Sequence, residues 1–332
     1  MGRSFEVGAL LQAVDPPDEY AQLIRRIEAL GFDAVWVADS SLHARDVWSY
    51  LTIAALNSTR LKLGTGVTHP FTRHPAANLN AWATLDQVSG GRAVLGVGAG
   101  DRPVLELGLK PAPVKAIRQM IELSRALATG ESVSFQGDWF STQGARLQFP
   151  GRATVPVYVA ASGPKALSLA GEIGDGVLVQ VGTAPACLRY AIDRIADGAT
   201  GRGLAGLDIS AVVYGSINDD RSRARGEARL FAAWIAQTVP FYCDLVGIPQ
   251  EAVRAVRARY SGGELMKARD AALVTTAEMI DHFTLAGTPA ECRQKVADLL
   301  SAGATSITFV PMGEDRAGTL DRFAREVVAP LR

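Results

Sequence analysis

Few side chains in this chain are placed to do chemistry, and those few stand beside glycine. Asp39 and Ser40 close an apolar run, His69 follows Gly64-Thr65-Gly66-Val67-Thr68, and Asp101 ends Gly96-Val97-Gly98-Ala99-Gly100. A third small-residue stretch, Ala160-Ala161-Ser162-Gly163-Pro164, offers one hydroxyl. Schiff-base chemistry needs a lysine at a strand end. Lys62, Lys110, Lys115, Lys165, Lys267 and Lys295 all fall at strand starts, on loops or in helices. His43, His69 and His74 lack the spacing of metal ligands, and no metal site is expected. Asp39 and Asp101 lie on different expected strands, so no paired-carboxylate site is legible. What is left is a roomy, small-residue site suited to a cofactor that brings its own reactivity.

The elements that must position these residues alternate. Apolar runs at Glu6–Leu11, Ala34–Ala38, Leu61–Gly66, Ala93–Val97, Val155–Val159, Gly176–Val181, Ile209–Ile217 and Ser306–Val310 read as eight strands. Helical patterns separate them, several opening on proline, as at Asp15-Pro16-Pro17-Asp18, Pro75 and Gly163-Pro164. Strands apolar on both faces, each followed by a helix, predict an α/β fold, a (β/α)8 TIM barrel. The expectation is a single domain over 1–332 with a hairpin-like insert near 131–149 and a helical extension near 219–286. The mouth of such a barrel is built from the strand C-terminal ends. It would gather Gln12, Asp39 and Ser40, Thr65 to His69, Gly98 to Asp101, Ala161 to Gly163, Gln180 to Gly182, Tyr214 with Ser216, and Pro311 to Gly313.

Composition narrows the partners. Hydrophobic residues make up 48%, enough for a large core, and the net charge of +0 supplies no general attraction for nucleic acid or acidic membranes. No apolar run approaches the roughly 20 residues of a membrane span. Cys187, Cys243 and Cys292 are scattered, odd in number and without a Cys-x-x-Cys pair, which fits a reduced, cytoplasmic setting. A small-molecule substrate is the expected partner.

The stretches Gly66 to Pro75, Thr84 to Arg92 with Gly96 to Asp101, Ala160 to Lys165 with Ala170 to Val177, and Gly31 to Val37 resemble the bacterial luciferase-like superfamily. The subgroup they are most similar to is the deazaflavin-dependent one that includes methylenetetrahydromethanopterin reductase. The resemblance implies a TIM barrel holding coenzyme F420 or, in sister groups, FMN, and commonly a homodimer. It implies that the Gly66–Val67 peptide is cis and forms a bulge behind the central ring. Thr68, Gly98, Gly100, Asp101, Ala161, Ser162, Gly163 and Gln180 would then surround the coenzyme, with its phosphate at the Gly163-Pro164 helix start. Asp39 would stand near the ring and His69 at the edge of the bulge, both candidates for proton transfer. Each also has a plainer reading: Gly64 and Gly66 end a strand, Asp39 and Asp101 cap helices, and Ser-Gly-Pro is a helix cap. The run Arg221, Arg223, Arg225 and Arg229 could meet the coenzyme's acidic tail or be a solvated helix face.

Two departures from the reductase pattern bear on activity. Leu10 stands where the subgroup has an acidic residue at the end of strand one, and Ser40 where a histidine follows the strand-two aspartate. Both remove proton-transfer groups from the substrate side. The expectation is F420H2-dependent hydride transfer to a small organic substrate. The alternatives are an FMN-dependent monooxygenase and a non-catalytic flavin-binding barrel.

Overall fold

A computed structural model describes residues 5–149, 151–261 and 268–332 of the chain. Residues 262–267 of the expected helical extension, Lys267 among them, fall outside these residues. In chain order come β1 (Glu6–Gln12), α1 (Pro17–Ala29), β2 (Ala34–Ala38), α2 (Val47–Leu56), β3 (Lys62–Thr65), α3 (Pro75–Ser89) and β4 (Ala93–Val97). A short α4 (Arg102–Glu106) precedes α5 (Val114–Ala128), and β5 (Val133–Gln136) with β6 (Ser141–Ala145) makes the hairpin expected near 131–149. Then follow β7 (Val157–Ala161), α6 (Pro164–Ile173), β8 (Gly176–Val179), α7 (Pro185–Gly198) and β9 (Asp208–Ile217). The extension holds α8 (Arg221–Thr238), α9 (Phe241–Leu245), α10 (Gln250–Arg257), α11 (Arg269–Ala272) and α12 (Ala277–Phe283). The chain ends through β10 (Leu285–Gly287), α13 (Pro289–Ser301), β11 (Ser306–Pro311) and α14 (Arg316–Arg322).

Eight parallel strands close a ring in the order β1, β2, β3, β4, β7, β8, β9, β11 and back to β1. Burial on both faces explains their composition: every residue of β4 and β8 is buried. Inside the ring Trp36 and Tyr158 pack at 5.0 Å between centroids, with Ala34, Val94, Leu178 and Val212 around them. A Cβ on Gly64 would fall 2.4 Å from the Trp36 ring, so this strand can pass the indole only as glycine. Prolines in the first turn start α1, α3, α6, α7 and α13.

Three expectations need correction. The fifth barrel strand is displaced from Val155–Val159 to Val157–Ala161, because Pro156 has no N–H to give a ladder and contributes only its carbonyl, to Leu95 N at 2.9 Å. The sixth stops at Val179 rather than Val181, and Gly182, at φ +88°, turns the chain so that Thr183 and Ala184 N–H donate to the His282 carbonyl. A ninth parallel strand, β10, was not legible; it pairs Leu285 with Gly215 above the point where β8 has ended. Among the described residues no helix is long and apolar enough to cross a membrane.

Candidate cofactor and substrate site at the barrel mouth

The packed interior ends in a floor of half-buried residues at the strand C-terminal ends: Leu10, Val67, Ala160, Tyr214 and Val310. Apart from the Tyr214 hydroxyl this floor is apolar. One wall is backbone. The loop after β3 is laced to β4 by Thr68 N to the Gly96 carbonyl and Gly98 N to the Thr68 carbonyl, both 3.0 Å, and the Gly66–Val67 peptide is cis. A Cβ on Gly98 would lie 2.7 Å from Val67 Cγ2, so the absence of side chains here keeps Val67 seated in the floor.

Asp39, at the end of β2, accepts a 2.7 Å hydrogen bond from the Thr68 hydroxyl, which joins two strand ends and fixes one carboxylate oxygen. His69 is carried inward: it is 1% exposed, it shares a hydrogen bond with Thr72 Oγ1 at 3.2 Å, and it packs beneath Gly100, which sits at φ +74°. Burial lowers the imidazole pKa below its ordinary value, against the raising influence of Asp39 and Asp101. His69 is thus a buried prop for the Gly100 turn and does not open to the mouth. Asp101 lies exposed beyond that turn, its carbonyl accepting from Leu105 N.

Across the mouth, Gly163 caps α6 without a side-chain hydrogen bond and Pro164 takes the first position, so the first-turn N–H groups carry no capping side chain. A Cβ on Gly163 would meet nothing within 4 Å, and this terminus is open to an anion. The Ser162 hydroxyl, expected to be a further donor, is instead spent on the Gln180 carbonyl at 2.7 Å, while Tyr242 Oη donates to the Ser162 carbonyl at 2.7 Å. Gln180 Nε2 reaches Tyr214 Oη at 3.4 Å, and Tyr214 stacks on Phe231 of α8 at 3.8 Å. His43 Nε2 and Glu106 Oε2 share a hydrogen bond that ties the loop after β2 to α4.

Sequence reasoning missed Glu227. It projects from α8 over the ends of β9 and β11, where its Oε2 accepts from Ser216 Oγ at 2.5 Å and its Oε1 from Arg223 Nε at 3.1 Å. Gly313, at φ +94°, makes room for it, since a Cβ there would fall 2.6 Å from Oε2. A glutamate four residues from an arginine on a helix looks like a solvent-facing pair. Only the fold brings it to the strand ends. Three arginines of the run are spent on structure, Arg221 pairing with Glu291 at 2.7 Å, Arg223 with Glu227 and Arg225 with Asp281, while the Nε of the fourth, Arg229, is buried without a hydrogen-bond partner. Among the described residues no group of His, Cys, Asp and Glu is arranged to hold a metal ion.

The small-residue wall, apolar floor and uncapped helix start fit a flat cofactor with a phosphate, and comparison with known proteins points the same way. The chain is 36% identical to 5,10-methylenetetrahydromethanopterin reductase of Archaeoglobus fulgidus, over 96% of this chain and 98% of that protein. It is 31% identical to the F420-dependent glucose-6-phosphate dehydrogenase of Beutenbergia cavernae, over 92% and 90%. The solved coenzyme F420-dependent tetrahydromethanopterin reductase of Methanopyrus kandleri superposes with a TM-score of 0.88 at 29% identity, covering 99% of this chain and 100% of the other. Residues 4–306 match the family described as luciferase-like monooxygenase, and the chain belongs to it.

Proposed function

We propose that the protein is a coenzyme F420-dependent oxidoreductase that passes a hydride between the reduced deazaflavin and a small organic acceptor, an alkene, imine or carbonyl. The observation that carries this reading is the mouth itself: an apolar floor and a glycine wall leave the redox step to a bound group. When bound, the coenzyme supplies a carbon-centred hydride carrier. The chain supplies placement. Val67 and Gly98 would shape the face behind the ring, Asp39, held by Thr68, would stand beside it, and the α6 N-terminus would take the phosphate.

We assign proton handling to Glu227 rather than to Asp39 or His69, the two candidates the sequence offered. Leu10 and Ser40 give the substrate side of β1 and β2 no acid or base. Glu227 brings a carboxyl from α8 to the ends of β9 and β11, and its Oε2, held by Ser216, is the atom that would give or take the proton accompanying hydride transfer. The named substrates of the relatives, methylenetetrahydromethanopterin as hydride acceptor and glucose 6-phosphate as hydride donor, are the first compounds to try, although the Leu10 and Ser40 changes argue for a substrate of other shape.

The test is titration of the purified protein with coenzyme F420 and with FMN, followed by fluorescence. Micromolar binding of F420 without FMN is expected, followed by oxidation of F420H2 by at least one member of a carbonyl, imine and alkene panel. Tighter FMN binding with substrate-dependent oxygen uptake would instead establish the monooxygenase reading. F420 binding with no turnover on any acceptor would leave a binding barrel.

A further inference from the structure

We infer that the groove between α5, α6 and α7, on the outer flank of the barrel, receives the acidic tail of coenzyme F420. The inference rests on the phosphate lying at the start of α6. A cavity of about 440 Å³ begins there, at Pro164 and Lys165, and runs down the helix past Ser168. Its walls carry Arg118 from α5 and Arg194 from α7. A chain leaving a phosphate at Gly163 would enter this cavity directly.

Charge in the groove is graded along its length. Lys165 is exposed at the upper end and makes no ion pair among the described residues, so its ammonium is available to a ligand. Arg118 is held toward the lower end by Glu172 through bonds of 2.8 and 2.5 Å. Arg194 pairs with Asp197 at 3.1 Å, yet its Nε is buried with no hydrogen-bond partner. The two acids therefore stand at the lower end, each matched by an arginine, and the unmatched positive charge sits nearest the phosphate. From Lys165 to Glu172 the helix rises about 10 Å, room for roughly three extended residues of a polycarboxylate. The arginine run of α8, the other candidate for the tail, follows β9, two strands farther round the ring from the phosphate; its Arg221, Arg223 and Arg225 are already paired, and only Arg229 keeps a buried Nε without a partner.

Fluorescence titration at low salt with three ligands separates the outcomes: the long-tailed coenzyme, a form with phosphate and a short tail, and the deazaflavin riboside lacking both. Lys165→Glu should weaken the long-tailed form about tenfold, flatten its salt dependence and leave the riboside unchanged. Unchanged affinity for the long-tailed form in Lys165→Glu would overturn the groove, as would a loss produced by Arg221→Gln instead. A short-tailed form that binds no better than the riboside would overturn the phosphate placement itself, whatever the lysine variant does.

Discussion

Gly98 shows how one missing side chain can set an affinity. A Cβ there would press on Val67 Cγ2 at 2.7 Å, and the cheapest relief is rotation of Val67 into the space above the floor. Gly98→Ala should therefore weaken F420 binding about tenfold while costing only about 1 kcal/mol of stability, since the crowded atom is the end of a side chain. Equal affinity in the variant would mean that nothing lies against that wall. Glu227→Gln keeps an oxygen for Ser216 but cannot carry the proton. With the acceptor that the wild type turns over best, kcat should fall about a hundredfold at unchanged F420 affinity. A fall in affinity alone would make Glu227 a positioning residue. His69 gives a pH signature. Its folded pKa lies below the unfolded value of about 6.5, so the folded chain binds fewer protons there. The resulting stability is complete above that value and drains away as pH falls through the lowered one. His69→Gln should flatten the decline in urea midpoint between neutral and acid pH; an unchanged slope would assign the decline to other groups.

At the scale of elements, the sequence spoke clearly where burial is two-sided and faintly where pairing is local. The barrel strands were legible because runs such as Ala93–Val97 are apolar throughout, and α3 because Pro75 follows His74, whose Nδ1 proves to cap it by accepting from Ala76 N at 3.2 Å. Leu285–Gly287 was not legible, since three residues carry no period and their partner Gly215 is remote in sequence. The wall of the site, Gly66 through Gly100, could be read from its composition. Glu227 could not, because its value depends on Gly313 leaving space from another strand end. A similar long-range tie holds the entry to β7. Asp86, 3% exposed near the end of α3, accepts from Arg152 N, Nε and Nη2 at 2.8 to 3.2 Å. Asp86→Ala strands those donors and should lower the unfolding free energy by about 2 to 3 kcal/mol in urea titration. A loss below about 0.5 kcal/mol would show that water replaces the carboxylate at little cost.

For the molecule as a whole, the barrel separates ligand binding from closure, one at each end. The floor of the mouth is apolar apart from the Tyr214 hydroxyl. The opposite end is plugged by polar side chains around Asp208, which accepts from Tyr158 Oη at 3.1 Å, Ser306 Oγ at 3.0 Å and Thr305 Oγ1 at 2.5 Å. Ser210 and Thr308 bond each other at 2.8 Å beside it, and Tyr158 carries the plug upward to Trp36. These groups join β7, β9 and β11, so they hold the ring shut where no helix N-terminus or loop of the site reaches. Removing the carboxylate leaves the Tyr158 hydroxyl inside the ring without its acceptor, which costs about 2 to 3 kcal/mol. The mouth floor hangs from the upper ends of the same strands, but packed interiors do not pass on a loss of this size unless the strands themselves move. Asp208→Ala should thus unfold at lower urea while binding coenzyme F420 within about twofold of the wild type, since sites this far apart act additively. A tenfold loss of affinity in a folded Asp208→Ala protein would show instead that the ring is a single mechanical unit, and that the plug sets the shape of the mouth.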